Sequence, residues 1–235
     1  MPPAAHASRV TVVLAAFALL FACLATPALA QLNSWTAAGP DYAGVIAVER
    51  DPADGQAIYA GTFYGGLYRS PDNGATWQFV PSPADGQSVQ AIAFDATAPG
   101  TLYIGTLETG IFRSTDGGAT WQSSSQGLED LSISAIAVDP FDNARVLAAT
   151  GVGPFVSRDR GATWQRLTTG ATRYDVFTLA FDPARRGHIY VGTIANAVMR
   201  TRDDGATWER LAEGMGNYTV KSLRFDPRGD LLYAA

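Results

Sequence analysis

Four octapeptides of the form Ser/Thr-x-Asp-x-Gly-Ala-Thr-Trp recur along this chain of 235 residues, at positions 70–77, 114–121, 157–164 and 201–208. Their tryptophans stand 44, 43 and 44 residues apart. A period of about 40–45 residues is that of a four-stranded propeller blade. The fifth tryptophan, Trp35, lies ahead of the first repeat in the related segment Ser34-Trp35-Thr36. Every tryptophan of the chain therefore falls at one repeating position.

The residue types explain what the octapeptide does. Asp72, Asp116, Asp159 and Asp203 each precede a glycine by two positions (Gly74, Gly118, Gly161 and Gly205). A carboxylate there accepts backbone N–H groups across a hairpin turn, and glycine supplies a positive φ. Thr76, Thr120, Thr163 and Thr207 add hydroxyls to the same network. The tryptophans (Trp77, Trp121, Trp164 and Trp208) then open the following strand and bring a large ring to bury between sheets. Trp121 and Trp164, in interior repeats, are expected to be buried. A calcium loop is the rival reading, but it needs oxygen ligands at several alternating positions. Only Asp203-Asp204 offers a second acid, so these are read as structural turns and no metal or other cofactor is expected.

These octapeptides resemble Asp boxes, the BNR repeats found in sialidases, xyloglucan-degrading glycoside hydrolases, sortilin-type receptors and photosystem II assembly factors. The likeness covers about residues 34–235. It implies a β-propeller, whereas activity differs among the families that share the motif.

The segments between boxes give the same fold from periodicity. Val45–Val48, Ala91–Phe94, Ala135–Val138, Thr178–Phe181 and Ser222–Phe225 alternate large and small residues with period two. The small positions are mostly Ala, Ser or Thr, which suits innermost strands crowded on both faces near the axis of a ring. Second strands follow, such as Leu102–Thr106, then third strands such as Gly110–Arg113, and the box leads into a fourth. The chain is read as an all-β propeller of four-stranded antiparallel blades. Blades span 43–88, 89–132, 133–175 and 176–219, with a partial fifth over 220–235 and a lone closing-type strand at 33–38. An open arc of this kind leaves apolar flanks uncovered. The expectation is a fragment of a larger propeller of about seven blades.

Residues 1–30 read as a secretory signal, with Arg9, an apolar run from Val10 to Leu24 and the Ala28-Leu29-Ala30 cleavage pattern. The alternative is a lipoprotein signal ending in Leu20-Phe21-Ala22-Cys23. Cleavage after Ala30 leaves a propeller domain over 31–235, secreted or periplasmic, without a cysteine and without a membrane span. It carries 16 basic against 22 acidic residues, a net charge of −6, which argues against nucleic acid as a partner. The 16 arginines of the whole chain to a single Lys221 fit a GC-rich bacterial gene.

Recognition is expected on the rim opposite the boxes. That rim carries Phe63-Tyr64-Gly65, Leu107-Glu108-Thr109, Gly151-Val152-Gly153 and Ile194-Ala195-Asn196, together with the interblade linkers at 126–130, 170–175 and 214–218. Tyr64, Glu108, Tyr174 and Tyr218 are the candidate binding residues for a protein or glycan. No catalytic residue is assigned. His188 is the sole histidine after the signal, and no Phe/Tyr-Arg-Ile-Pro tetrapeptide of the sialidase kind occurs. A glycosidase needs two carboxylates flanking a cleft; Asp41, Glu108, Glu129, Asp130 and Asp175 are available for that role. The favoured function is an exported, non-catalytic binding or assembly module. The alternatives are a carbohydrate-active hydrolase completed by further blades and a structural domain of a larger surface protein. N-terminal sequencing of the exported protein should begin at Gln31; a lipid-modified Cys23 in mass spectrometry would select the other signal type.

Overall fold

The computed structural model describes residues 39–40, 44–167, 176–194, 196–211, 214, 216, 218–226 and 228–235. The signal with Cys23, the strand at 33–38 with Trp35, and Asp41, Tyr174 and Asp175 lie outside them.

Alternating apolar residues, punctuated by Asp-Pro and Asp-x-Gly turns, produce strands of two to nine residues and no helix among the described residues. The first blade comprises β1 (Val45–Arg50), β2 (Ile58–Thr62), β3 (Gly66–Ser70) and β4 (Gln78–Val80). The second comprises β5 (Val89–Phe94), β6 (Leu102–Thr106), β7 (Ile111–Ser114) and β8 (Gln122–Ser123). The third comprises β9 (Ile133–Asp139), β10 (Asp142–Thr150), β11 (Gly153–Ser157) and β12 (Gln165–Arg166). The fourth comprises β13 (Val176–Phe181), β14 (Ile189–Thr193), β15 (Val198–Thr201) and β16 (Glu209–Leu211), and β17 (Leu223–Phe225) with β18 (Leu232–Ala234) begins a fifth. Each complete blade is a four-stranded antiparallel meander in chain order.

Register in the first blade differs from the simple sequence alignment. Ala93 stands opposite Tyr103 and Ile92 opposite Ile104 in the second blade, whereas Glu49 faces Tyr59 and Val48 faces Ala60 in the first. Val48 is therefore the counterpart of Ile92, and Glu49 that of Ala93. This is a shift of two residues from the pairing of Val45–Val48 with Ala91–Phe94. A period-two pattern looks the same after such a shift, and the Asp51 and Asp95 turns decide it.

The core lies between blades. Tyr59, Leu67 and Val80 of the first blade pack with Val89, Ile92 and Leu102 of the second. Tyr103 and Ile111 meet Ile133, Ile136 and Trp164 across the next boundary. Leu147 and Val156 meet Val176, Leu179 and Phe181, and Tyr190 and Val198 meet Val220 and Leu223. Gly61 permits this approach, because a Cβ there would stand 2.3 Å from the Val89 carbonyl oxygen. The β-strand facing position is 5% exposed at Ile92, 8% at Ile136, 6% at Leu179 and 3% at Leu223, but 55% at Val48. Both faces of β5 are crowded as expected, whereas β1 is largely exposed and β17 is exposed at Arg224.

Second-strand tyrosines fasten one blade to the next. Tyr59 packs edge-on against Phe94 with centroids 5.2 Å apart, and its hydroxyl donates to the Gly117 carbonyl at 2.9 Å. Tyr103 repeats the bond to the Arg160 carbonyl at 3.0 Å.

The tryptophans are less uniform than the repeat suggests. Trp164 is 3% exposed, and its indole N–H donates across the blade boundary to the Ser124 carbonyl at 2.6 Å. Trp121 is only partly buried, which corrects the expectation that it would match Trp164. Its indole turns back to its own box, donating to the Gly118 carbonyl at 3.0 Å. Trp164→Ala should cost about 3–5 kcal/mol in a denaturant melt, the scale of removing a buried large aromatic, and Trp121→Ala clearly less. Equal losses would show that the interblade indole bond adds nothing.

Candidate functional site

Backbone hydrogen bonds sort the turns onto two rims. The fourth residue of each box donates its N–H to the turn between first and second strands or to the start of the second strand: Asn73 to Gln56, Gly117 to Gly100, Arg160 to Ala144 and Asp204 to Gly187, at 2.8–3.1 Å. On the opposite rim the Phe63 N–H reaches the Gly44 carbonyl at 2.8 Å, Leu107 reaches Ser88 at 3.0 Å and Gly110 reaches Leu131 at 3.0 Å.

All four boxes have one internal geometry. In the second, the Ser114 hydroxyl accepts the Gly118 N–H at 2.8 Å and donates to Asp116 Oδ1 at 2.7 Å. The same Oδ1 accepts the Thr120 N–H at 2.8 Å, and Oδ2 accepts the Thr120 hydroxyl at 2.5 Å. The carboxylate thus spends both oxygens inside its own turn. These bonds favour the charged form. The Thr120 hydroxyl is the main cause holding Asp116 at about 2. For Asp159 the Ser157 hydroxyl leads and for Asp203 the Thr207 hydroxyl, each again to about 2. Residues four and five of the turn adopt positive φ, as at Arg160 (58°) and Gly161 (83°).

The loop rim presents different chemistry on each blade. Tyr64 is 51% exposed and sits at φ 53°, a region unfavourable to any residue with a Cβ. Its N–H is held by the Ser88 hydroxyl of the next blade at 3.1 Å, and its ring meets exposed Phe63 edge-on at 4.5 Å. Glu108 is exposed in the tight turn between β6 and β7. Tyr218 is 75% exposed, and its carbonyl accepts the Ala197 N–H at 3.2 Å. These three residues stand on the first, second and fourth blades. Two acids named as hydrolase candidates are already engaged: Glu129 with Arg166 at 2.6 Å, and Asp130 with the Ser132 N–H at 2.9 Å.

Sequence reasoning missed the axial residues. The five first-position strands jointly line a cavity of about 240 Å³, with Glu49, Gln90, Ser134, Lys221 and Arg224 among its polar walls. Glu49 and Arg224 occupy one register position, opposite Tyr59 and Tyr233, where the second to fourth blades have Ala93, Ala137 and Ala180. The Arg224 guanidinium donates to the Glu49 carboxylate, joining first and last blades. Aligning the first strands on Asp51, Asp95, Asp139, Asp182 and Asp226 would have placed Glu49 and Arg224 at this one position.

A family model described as Sortilin, neurotensin receptor 3, matches residues 109–233. None of the curated proteins matches the chain. Among solved structures it is similar to a GH74 enzyme from Niastella koreensis, at 22% identity and a TM-score of 0.69 over 82% of this chain and 33% of that one. The GH74 xyloglucanase from Xanthomonas campestris gives 22% identity and a TM-score of 0.61 over 77% of this chain and 32% of that one. The β-propeller domain of Cps50 (Swd1) from Myceliophteria thermophila gives 8% and 0.61 over 81% and 62%. The chain spans about a third of the length of the GH74 enzymes it matches. At these identities the likeness shows the propeller fold alone.

Acid should loosen the boxes in a defined window. A carboxylate held at about 2 in the fold and at its ordinary 3.8 when unfolded stabilises above the higher value. That contribution disappears as pH falls toward the lower one. Thr120→Val should therefore lower the melting temperature at about pH 7 and converge on wild type by about pH 2. A gap that stays constant over that range would show that the Thr120 bond is not coupled to the Asp116 charge.

Proposed function

The chain belongs to the Sortilin-Vps10 family, and on that premise we propose that it is a non-catalytic binding module whose loop rim takes a protein or glycan ligand. One observation carries the reading: the exposed Phe63–Tyr64 pair, held with Tyr64 at φ 53°. A left-handed backbone at a bulky residue is unfavourable and persists where surrounding contacts over-determine it. Here the Ser88 hydroxyl fixes the loop from the neighbouring blade. The rigidly presented aromatic surface has the character of a recognition anchor, since such side chains lose little freedom on contact. Glu108 and Tyr218 add an acid and a second exposed ring on other blades, and Tyr174 joins them on sequence grounds. The asymmetry between blades supports selectivity, because a ring of identical turns offers a ligand no unique orientation.

The module works outside the cytoplasm, delivered by the leader at 1–30. Among the described acids weighed for a hydrolase, Glu129 is ion-paired and Asp130 is tied to its own turn, which leaves the exposed Glu108.

Screening the protein on glycan and peptide arrays, then measuring hits by calorimetry, tests the assignment. Tyr64→Ala, Glu108→Ala and Tyr218→Ala should each weaken capture, the tyrosines by about tenfold or more, with unchanged melting temperatures. Asn73→Ala and Arg160→Ala on the other rim should leave affinity intact. The reverse pattern would place the binding face on the boxes, and consumption of an array glycan would make the protein a hydrolase.

A further inference from the structure

Every first-position strand carries one extra residue at the same level. Pairing with the second strand skips Ile46, Gln90, Ser134 and Phe177 in the four complete blades. In the fifth, the N–H groups of Lys221 and Ser222 share the Ala235 carbonyl, so two residues again oppose one. Each bulged residue stands five places before the turn aspartate of its blade, Asp51, Asp95, Asp139, Asp182 or Asp226. A bulge re-aims the side chain it frees, and all five of these line the axial cavity of about 240 Å³.

The bulged level is where the blades differ most. Two places later the strands read Val48, Ile92, Ile136, Leu179 and Leu223, apolar throughout because that position packs between blades. The bulged residues are instead an aliphatic chain, an amide, a hydroxyl, an aromatic ring and an ammonium. Packing between blades makes no such demand. Ile46 is 47% exposed, Lys221 is exposed, and Gln90, Ser134 and Phe177 are half-buried. The Ser134 hydroxyl donates to the Val176 carbonyl at 2.6 Å, which leaves its oxygen able to accept.

Charge and closure narrow the ligand. Glu49 and Arg224 line this cavity and also a second one of about 250 Å³ toward the box rim, so their ion pair stands between the two as a floor. Glu49 is the one acid among the lining residues, and Arg224 neutralises it. Lys221, the single lysine of the chain, therefore leaves the lining with one surplus positive charge.

We propose that the axial cavity is a binding site for one monoanionic sugar ring. Lys221 takes the anion, the Gln90 amide and the Ser134 oxygen take ring hydroxyls, and Phe177 and Ile46 cover the apolar face of the ring. A cavity of this size lies below the roughly 300 Å³ at which pockets for drug-sized ligands begin, which suits a single ring. An ammonium is a compact point charge with no preference for a planar group, so the anion is the carboxylate of a uronic acid or a sulfate ester. The site uses none of the residues named for the loop surface, so the two readings stand or fall separately.

Isothermal titration of the whole protein at fixed ionic strength, with glucuronate, glucose 6-sulfate, glucose and N-acetylalanine as separate probes, tests the site. One of the two charged sugars should saturate at one equivalent, identifying the anion as carboxylate or sulfate. Glucose, which lacks the charge, and N-acetylalanine, which lacks the ring, should bind at least about tenfold more weakly, the scale of one lost charged hydrogen bond. Lys221→Gln should bring the charged sugar down to the level of glucose without altering the melt, since Lys221 is exposed. Gln90→Ala should weaken it several-fold. Failure of both charged sugars to saturate, equal binding of glucose or of N-acetylalanine, or undiminished binding in Lys221→Gln would overturn the proposal.

Discussion

Contact between successive blades is what the rest of the molecule depends on. A four-stranded meander has no interior of its own, so each blade buries its apolar side chains against the next. Tyr59 against Phe94 and Tyr190 against Phe225 are two instances of one arrangement. The tyrosine ring supplies area, and at the first two boundaries its hydroxyl also satisfies a carbonyl of the next Asp box. Stability in such an array is a sum of blade and boundary contributions, which is why single boundaries can diverge without loss of the fold.

The Asp boxes serve that packing by making a tight turn self-sufficient. Each carboxylate is consumed by hydroxyls and N–H groups within its own eight residues, so the turn needs no help from neighbours. The freedom this creates sits at the fourth position, which is Asn73, Gly117, Arg160 or Asp204. Its backbone is constrained and its side chain is not. At Asp204 the side chain has become half of an ion pair with Arg145 from the preceding blade. The box rim is thus uniform in backbone and variable in chemistry.

The departures from the repeat divide along the same lines. The loop rim carries exposed, backbone-constrained aromatics, and the axis carries a charged pair at a position otherwise given to alanine. The third boundary carries the buried Arg145. Each departs from the repeat at a point where the repeat itself makes no demand.

The sequence by itself determined the blade period, the number of strands in each repeat and the turn chemistry of Asp116-Gly117-Gly118, because these are local and recur in register. It also separated the two rims, since alternate connections of a meander must fall on alternate ends. The period-two pattern alone left Val48 and Ile46 as equal matches for Ile92, since such a strand is unchanged by a shift of two, although the shared Asp51 and Asp95 hold the answer in the sequence. Only the tertiary structure separated Trp164 from Trp121, which share a motif but face different partners. Arg145 with Asp204 and Glu49 with Arg224 lie 59 and 175 residues apart. Their pairing follows from how the blades are arranged around the axis, a geometry that no single repeat contains.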